Sequence, residues 1–287
     1  MSESKARFLN IVSMVIYGTI GVFRKFIPLP SSAVALARAG IGAVFLLLFL
    51  CIRRRRLDLP AIRRNLRFLL PSGVLLGFNW ILLFEAYSYT SVAVATLCYY
   101  MAPVILILLS PLLFGERLSG RKLLCVAVAL VGMVLVSGVL SSAGGSMKGI
   151  ILGLVAALFY ASIVVLNKQL HGIDGLDRTV VQLLISAIVL IPYVLVTENV
   201  SAFSLDGPAL FMLAVICIVH TGIAYALYFG TMSFLGAQSL ALLSYIDPVV
   251  AILCSAFLLG EQILPSAILG AVLIIGALIT SELQPSK

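Results

Sequence analysis

One run of residues occurs twice in this chain, and the repeat limits the folds that the chain can adopt. Residues 100–118 read YMAPVILILLSPLLFGERL, and residues 245–263 read YIDPVVAILCSAFLLGEQI. Pro103 pairs with Pro248 and Glu116 with Glu261 at one constant spacing. A fixed period that extends over half of a 287-residue chain indicates an internal repeat. We therefore expect two copies of one structural unit.

The composition places both copies in a lipid membrane. Hydrophobic residues make up 62% of the chain and charged residues 10%, whereas soluble domains carry roughly 25% charged residues. Apolar runs of about 20 residues can cross ~30 Å of hydrocarbon, and there every backbone amide needs an internal partner, so the runs are predicted to be helices. The sequence accommodates ten such spans, at residues 8–27, 32–52, 68–88, 91–114, 121–140, 148–170, 178–197, 208–232, 236–259 and 264–281.

Basic residues are concentrated on one side of these spans. Arg53, Arg54, Arg55, Arg56, Arg63, Arg64 and Arg67 lie between spans 2 and 3, in a segment that we expect to be a loop along the lipid headgroups. Loops rich in Lys and Arg stay in the cytoplasm, so this segment and both termini are predicted to be cytoplasmic, with the protein in the inner membrane. The net charge of +8 is therefore an orientation signal, and no nucleic-acid partner is expected.

The number of spans in each copy predicts how the copies are related. Each unit, residues 1–143 and residues 144–287, contains five predicted spans, so the second unit enters the membrane from the opposite face. The expected fold class is an all-α integral membrane protein, with ten transmembrane helices as two inverted five-helix repeats. Inverted repeats of this kind build secondary transporters, which hold the substrate near the midplane between the repeats.

Several short motifs surround the repeated segment. Each copy of aromatic-x-x-Pro is followed downstream by Phe/Leu-Gly-Glu, the segment FEAYSYTS occupies residues 84–91, and Arg38 lies inside span 2. This combination resembles the EamA family of the drug/metabolite transporter superfamily, over nearly the whole chain. The resemblance implies ten helices in two inverted bundles and export, less often uptake, of small organic metabolites such as amino acids and amines.

Polar and aromatic residues near the middle of the spans are the candidates for a substrate site. Tyr and Trp usually lie at the membrane interface, and a phenol in mid-membrane needs a hydrogen-bond partner or water. We predict that these side chains line a central, partly wet cavity that binds the substrate: Tyr17, Asn79, Trp80, Tyr99, Tyr100, Tyr160, His220, Tyr225, Tyr245 and Asp247. Thr221, Tyr225 and Tyr228 follow helical spacing and are expected to face the same interior.

Two acids offer specific hypotheses for this site. Asp247 lies in mid-span before Pro248, where the first copy has Ala102, so the fold itself does not require an acid there. An acid inside a span is costly unless it is paired, protonated or hydrated. Asp247 therefore either binds a cationic substrate or a coupling proton, or it is a structural acid capped by the broken helix. Glu85, near the outer end of span 3, is a second candidate for recruiting a cation.

Further charged and titratable residues have competing interpretations. Arg38 either receives the carboxylate of an amino acid or is structural, forming an interhelical bond or snorkelling to the interface. His220 either transfers protons near neutral pH or is a neutral, hydrogen-bonded ring. Glu116 and Glu261 each follow a glycine at a helix end, and we predict that they stabilise a helix N-terminus rather than bind substrate.

The sequence contains no P-loop, no His-Glu-x-x-His and no other motif for a cofactor, a metal or a catalytic site. We expect a secondary transporter rather than an enzyme, as a monomer or a homodimer in contact with membrane lipid. It moves a small polar metabolite, which is an amino acid, an amine or a quaternary ammonium compound, by alternating access, and the resemblance favours export. Uptake or exchange of a cationic amine stays open and, more remotely, so does an intramembrane enzyme that modifies lipids.

Overall fold

Helices form the regular elements of the described chain, because in apolar runs the backbone must satisfy its own hydrogen bonds. The structure, a computed structural model, describes residues 2–114, 120–137, 146–232, 234–235, 240 and 243–282. The first copy contains α1 (Glu3–Lys25), α2 (Ser31–Ile52), α3 (Leu59–Tyr89), α4 (Val92–Tyr99), α5 (Ala102–Phe114) and α6 (Gly120–Ser137). The second copy contains α7 (Met147–Lys168), α8 (Gly175–Thr197), α9 (Gly207–Val215), α10 (Ala224–Met232), α11 (Ile246–Leu259) and α12 (Pro265–Glu282).

Within the described residues, 7 helices are long and apolar enough to cross a membrane. They are α1, α2, α3, the α4–α5 segment, α7, α8 and the continuous run Gly207–Thr231. Shorter apolar helices at Leu123–Leu135, Ile246–Leu259 and Pro265–Ala277 coincide with the other predicted spans. Parts of the predicted spans 121–140 and 236–259 lie outside the described residues. The chain is thus a multi-pass membrane protein.

Both copies of the repeated motif interrupt a helix at the same place. α4 ends at Tyr99 and α5 begins at Ala102, while α11 begins at Ile246 after a turn at Tyr245. Tyr100 and Tyr245 have nearly the same backbone angles, φ −71° and ψ 4° against φ −74° and ψ −5°. Proline lacks an N–H group and its ring clashes with the carbonyl four residues earlier, which accounts for both breaks. Pro111, by contrast, lies within α5, which continues to Phe114.

The basic segment after α2 is shorter than predicted. We expected a loop over residues 53–67, but α3 begins at Leu59. Asp58 accounts for the difference, because its carboxylate accepts a hydrogen bond from the Ala61 amide and Pro60 lies in the first turn. The loop expectation was therefore wrong for residues 59–67, which form the first turns of a helix.

One predicted span contains a wide-turn segment that the sequence did not indicate. Between α9 and α10, the residues Ile216–Ile223 form a π-helix, a rare element that often occurs at functional sites. His220 and Thr221 lie in this segment, and their side chains bond the carbonyl oxygens of Val215 and Ile216, each five residues earlier. The wide turn therefore sets the direction in which these two side chains point.

Ion pairs define two ends of the helix bundle. At one end, Arg55 pairs with Asp177 at 3.1 Å, and we call it the Arg55 end. At the other, Lys25 pairs with Glu261 at 3.4 Å, and we call it the Lys25 end. The Glu261 carboxylate also accepts a hydrogen bond from the Val92 amide. Because α4 starts and α11 finishes at the Lys25 end, α4–α5 and its counterpart in the repeat, α11, run in opposite directions.

Helix α1 packs directly on the second broken helix. A Cβ atom on Gly18 would lie 2.6 Å from the Asp247 carbonyl oxygen, so a larger residue would force the helices apart. Gly21 and Gly42 are also enclosed by neighbouring side chains, so they too lie at close helix contacts. Gly40 has open space where its side chain would be and makes no such contact.

Candidate functional site

Tyrosine rings from both copies come together inside the bundle. The ring centroids of Tyr17 and Tyr225 are 5.8 Å apart, and those of Tyr99 and Tyr160 are 5.3 Å apart. Tyr160 remains 41% exposed although it is in contact with Tyr99, so the rings border accessible space rather than a sealed core. We call the following set the aromatic cluster: Tyr17, Tyr99, Tyr100, Tyr160, Tyr225, Tyr228 and Phe229.

Asn79 holds one member of the cluster in place. Its side-chain nitrogen donates to the Ala156 carbonyl at 2.6 Å, and its side-chain oxygen accepts a hydrogen bond from the Tyr99 hydroxyl at 3.3 Å. Asn79 itself is completely buried. It is thus connected to the aromatic cluster through Tyr99 and ties α3 to α7 at the same time.

Arg38 brings a buried positive charge to the cluster. Its guanidinium carbon lies 3.9 Å from the Trp80 ring centroid, and its Nε donates to the Thr221 hydroxyl at 2.8 Å. Only 5% of Arg38 is exposed, so the side chain does not snorkel. Trp80 is consequently part of the site as the surface on which the guanidinium stacks. The predicted interior stripe of Thr221, Tyr225 and Tyr228 is confirmed by these contacts and by the rings near Tyr17 and Phe229.

Asp247 lies at the second helix break, beside the aromatic cluster. Asp247 is partly exposed and lies near the Tyr100 hydroxyl. That hydroxyl donates to the Ser244 carbonyl at 3.1 Å. Since Ser244 lies four residues before Pro248, Tyr100 supplies a donor to the carbonyl from which the proline has removed one. One hydroxyl therefore links the break in the first copy to the break in the second.

His220 is buried among partners that satisfy both ring nitrogens. Its Nε2 lies 2.9 Å from the Thr19 hydroxyl, and its Nδ1 lies 3.2 Å from the Val215 carbonyl. In a neutral ring, Nδ1–H donates to the Val215 carbonyl and Nε2 accepts from the Thr19 hydroxyl, whose single proton then does not serve the Ile16 carbonyl 2.8 Å away. The Phe23 ring covers the imidazole at a centroid distance of 5.0 Å. These contacts favour the hydrogen-bonded interpretation of His220 over proton transfer.

Two predicted site residues lie outside the ring contacts of the aromatic cluster. Glu85 accepts a hydrogen bond from Ser31 at 2.7 Å near the Lys25 end, and the Ser31 hydroxyl accepts one from Arg24 at 3.1 Å. Tyr245 is 6% exposed and belongs to an apolar cluster with residues of α5, α6 and α12, against which Tyr100 also packs. The structure thus groups most of the predicted set, either directly or through one contact: Tyr17, Asn79, Trp80, Tyr99, Tyr100, Tyr160, Tyr225 and Asp247.

Glu261 has the structural surroundings predicted for it, with a different helix as its partner. Its carboxylate accepts hydrogen bonds from the Val92 amide, in the first turn of α4, and from the Ser255 hydroxyl. We had expected the N-terminus of the following helix, which begins at Pro265. The equivalent residue Glu116 lies outside the described residues.

Arg178 is a further charged residue near the cluster, which the predicted site residues did not include, and it lies in α8. Its guanidinium carbon lies 5.8 Å from the Phe229 ring centroid, and its charge acts on Tyr228 and Tyr160. The available signal was helical spacing, because Arg178 precedes Gln182 by one turn and Gln182 is the repeat partner of Arg38. Its proximity to the start of the helix masked that relation.

Comparisons with known proteins agree with the helical fold and the duplication. Residues 4–138 and residues 147–281 each match the profile of the EamA-like transporter family. An uncharacterized transporter of Bacillus subtilis (strain 168), YxxF, is 31% identical over 263 residues, which is 90% of this chain and 83% of that protein. A probable amino-acid metabolite efflux pump of Escherichia coli (strain K12) is 28% identical over 237 residues, 76% of this chain and 79% of its own. A crystal structure with 19% identity has the same fold, with a TM-score of 0.71 over 98% of both chains.

Proposed function

The chain belongs to the EamA-like transporter family, and we propose that it carries a small polar organic metabolite across the inner membrane by alternating access. Family membership and the relatives named as transporters identify a transporter rather than an enzyme. The substrate, the direction of transport and the residues that bind the substrate are the proposed parts.

The proposed architecture is ten transmembrane helices in two inverted repeats, residues 1–143 and 144–287. Support comes from the two separate family matches and from the apolar helices, long and short, that coincide with the predicted spans. The opposite directions of α4–α5 and α11 also agree with inversion. Alternating access then consists of movement of one repeat against the other around the shared interior.

The proposed orientation puts the Arg55 end in the cytoplasm together with both termini. The loop at residues 53–58 and the first turns of α3 carry a dense run of arginines at that end. Such basic segments remain on the cytoplasmic side of membranes. The Lys25 end, with Glu85 and Glu261, is then the outer end.

The proposed substrate site is the accessible space beside the aromatic cluster. One observation carries the proposal: Asp247 and the buried Arg38 bring opposite charges near the same two tyrosines, the partly exposed Tyr17 and the buried Tyr87. Charged groups at this depth mark substrate or ion pathways, and aromatic rings attract cationic groups. The residues proposed to form or support the site are Tyr17, Asn79, Trp80, Glu85, Tyr99, Tyr100, Tyr160, His220, Tyr225, Tyr245 and Asp247. Among them, Glu85 and Tyr245 are the least supported by their contacts.

The proposed substrate is an amino acid, an amine or a quaternary ammonium compound, moved outward. The name of the Escherichia coli relative, an amino-acid metabolite efflux pump, supports both the substrate class and the direction. A relative of Salmonella typhimurium (strain LT2), 27% identical, has the same name. Uptake or exchange of a cationic amine is the second candidate, because Asp247 suits a positive charge equally in either direction.

Reconstituted vesicles test the proposal. Purified protein is reconstituted into proteoliposomes that are loaded with unlabelled amino acids or amines. Uptake of the labelled compound by counterflow is then measured with and without a pH gradient. We expect saturable counterflow that is abolished in Asp247→Asn and retained in Asp206→Asn, a control acid at the start of α9. Flux that never saturates and shows no counterflow indicates a channel and contradicts the proposal. Unchanged transport in Asp247→Asn removes the acid from the site.

A further inference from the structure

Arg38 differs from the other deeply buried arginine of the chain in how its donors are used. Arg24, which is 8% exposed, donates from its two terminal nitrogens to the carbonyls of Ile27 and Leu29 and to the Ser31 hydroxyl. Arg38 is 5% exposed and donates through Nε alone, to Thr221. Among the described residues, neither terminal nitrogen of Arg38 has a hydrogen-bond acceptor, and neither is sealed off from accessible space.

The geometry leaves one edge of the Arg38 guanidinium open. Trp80 covers a face of the planar group, and Thr221 occupies the Nε position. The remaining edge carries the two terminal nitrogens, which are spaced to match the two oxygens of a carboxylate. Stacking and the Thr221 bond hold the group in one orientation, so this edge is fixed before a ligand arrives.

No protein carboxylate fills that edge in the described part of the chain. The ion pairs found there join Arg7, Lys25 and Arg55 to acids, and none of them includes Arg38. Asp247 and Arg38 both lie near Tyr17 and Tyr87, and no ion pair among the described residues joins them. The two opposite charges therefore lie in one region of the bundle without neutralising each other directly.

A third polar group, near Arg38 and Asp247, also lacks a hydrogen-bond partner among the described residues. The hydroxyl of Tyr17 is buried and forms no hydrogen bond with any described residue. The Tyr17 ring is held against Tyr225 and is partly exposed. A buried hydroxyl without a partner is costly, so a ligand or water at this position is expected.

We infer that Arg38 binds the carboxylate of the substrate while Asp247 binds its ammonium group, so that the substrate is a zwitterionic α-amino acid rather than a simple amine. The inference rests on the proposed function and narrows its substrate class. A buried arginine with an open edge is satisfied by a carboxylate and repels an amine that has none. The repeat partner of Arg38 is Gln182, which bonds Ser72 and Asn167, so the charge is not needed by the fold.

Matched ligand trios test the inference. Each trio contains an amino acid, the amine that lacks its carboxylate and the acid that lacks its amino group, for example leucine, 3-methylbutylamine and 4-methylpentanoic acid, and the corresponding trio for phenylalanine. Binding to detergent-purified protein is measured as ligand concentration-dependent stabilisation against heat, and competition with counterflow in vesicles confirms it.

We expect the wild type to bind at least one amino acid about tenfold or more tightly than its amine and its acid, because each truncated compound loses a charge-assisted contact. In Arg38→Gln the amino acid loses its advantage over the amine. In Asp247→Asn it loses its advantage over the acid. Arg24→Gln is the matched control: it removes a buried arginine at the Lys25 end, and the ratio between the three ligands stays that of the wild type.

A wild type that binds the amine as tightly as the amino acid overturns the inference, and so does an Arg38→Gln variant that keeps the preference. If Arg38→Gln does not fold, Arg38→Lys replaces it. In Arg38→Lys, a loss of the preference for the amino acid over the amine supports a contact through both terminal nitrogens of Arg38. An unchanged preference contradicts that contact. Failure of the proposed function looks different, because then no small polar compound shows counterflow in the wild type. Counterflow of amines without any amino acid preference leaves the transporter in place and removes only the role of Arg38.

Discussion

His220 and Thr221 show how single side chains depend on a local irregularity of the backbone. Both lie in the π-helical segment, and each side chain reaches a carbonyl oxygen five residues earlier. Thr221 also accepts the hydrogen bond of Arg38. His220 is instead enclosed by Thr19 and Phe23. Thr221 thus contributes to the candidate site, whereas its neighbour His220 contributes to the packing of α1 on this segment.

Replacing His220 by glutamine is expected to leave the pH dependence of transport unchanged. Glutamine keeps a donor and an acceptor for Val215 and Thr19, and the imidazole that it replaces is only 1% exposed. The free energy of unfolding should fall by about 1–3 kcal/mol, the usual cost of disturbing a buried hydrogen-bonded group. The measurement is initial transport rate between pH 5 and pH 8 alongside thermal unfolding. A displaced pH profile in the folded variant would mean that the imidazole moves protons.

At the scale of the element, a hydrogen bond connects the helix breaks at Tyr100 and Tyr245, one in each copy. The Tyr100 hydroxyl of the first copy donates to the Ser244 carbonyl of the second, four residues before Pro248. The proline has no N–H to offer that carbonyl. The bond therefore compensates for a defect that the motif itself introduces, and it does so across the interface between the copies.

A double-mutant cycle tests this compensation. Tyr100→Phe should lower the free energy of unfolding by about 1–2 kcal/mol in the wild-type background, because one hydrogen bond to a buried carbonyl is lost. In a Pro248→Ala background the restored N–H can bond the Ser244 carbonyl, so the same substitution should cost clearly less. Thermal or denaturant unfolding in detergent gives the coupling. Tyr99→Phe is the control, since its hydroxyl donates to Asn79, and it should add independently of Pro248→Ala. Additive effects for Tyr100 would rule out compensation.

Hydropathy and proline chemistry predict the elements well and their details poorly. The apolar spans follow from residue type alone, but the breaks near Pro103 and Pro248 do not, because Pro71 and Pro192 lie inside the continuous helices α3 and α8. The start of α3 at Leu59 depends on the Asp58 cap, which a window of hydropathy averages away. The π-helix has no residue signature in the segment Ile216–Ile223, because its extra residue is fixed by packing against α2.

The candidate site is likewise predictable from the sequence in its residue types but not in its side-chain directions. Residue type and depth predict the aromatic cluster and Asp247, since phenols and acids are rare in mid-membrane. The direction of a side chain is not contained in its depth. Glu85 and Asp247 are both intramembrane acids in the sequence, yet Glu85 bonds Ser31 near the Lys25 end and only Asp247 adjoins the tyrosines. The role of Arg38 is likewise undecided by the sequence, because it depends on the stacking of the side chain on Trp80.

For the whole molecule, the Lys25 end ties the two copies together. Lys25 and Val92 belong to the first copy, and Glu261 of the second pairs with one and accepts a hydrogen bond from the other. The Ser255 hydroxyl donates to the same carboxylate. Any opening of the interior at this end has to separate these groups.

Glu261→Gln is expected to make the interior more accessible from the Lys25 end. The substitution keeps the shape and removes the charge that holds Lys25, so open states gain population several-fold. The reporter is a single cysteine at Tyr99, with the native cysteines replaced, and the measurement is its rate of reaction with an impermeant thiol reagent applied from outside. Glu85→Gln is the control, because Glu85 lies near the same end and bonds only within the first copy. Equal reaction rates in both variants would show that the Lys25–Glu261 pair does not restrain opening.

The two copies share one scaffold, but charge is distributed unequally between them. Arg38 corresponds to Gln182 and Asp247 to Ala102, so neither of these two charges has a charged counterpart in the other copy. If the two halves were identical, the inward-facing and outward-facing states would be related by the two-fold axis between the halves and would have equal free energy. Here exchanging the halves reverses the internal dipole relative to the membrane, and the two states must differ in energy. In the proposed alternating-access cycle, the empty carrier is therefore expected to favour one side of the membrane.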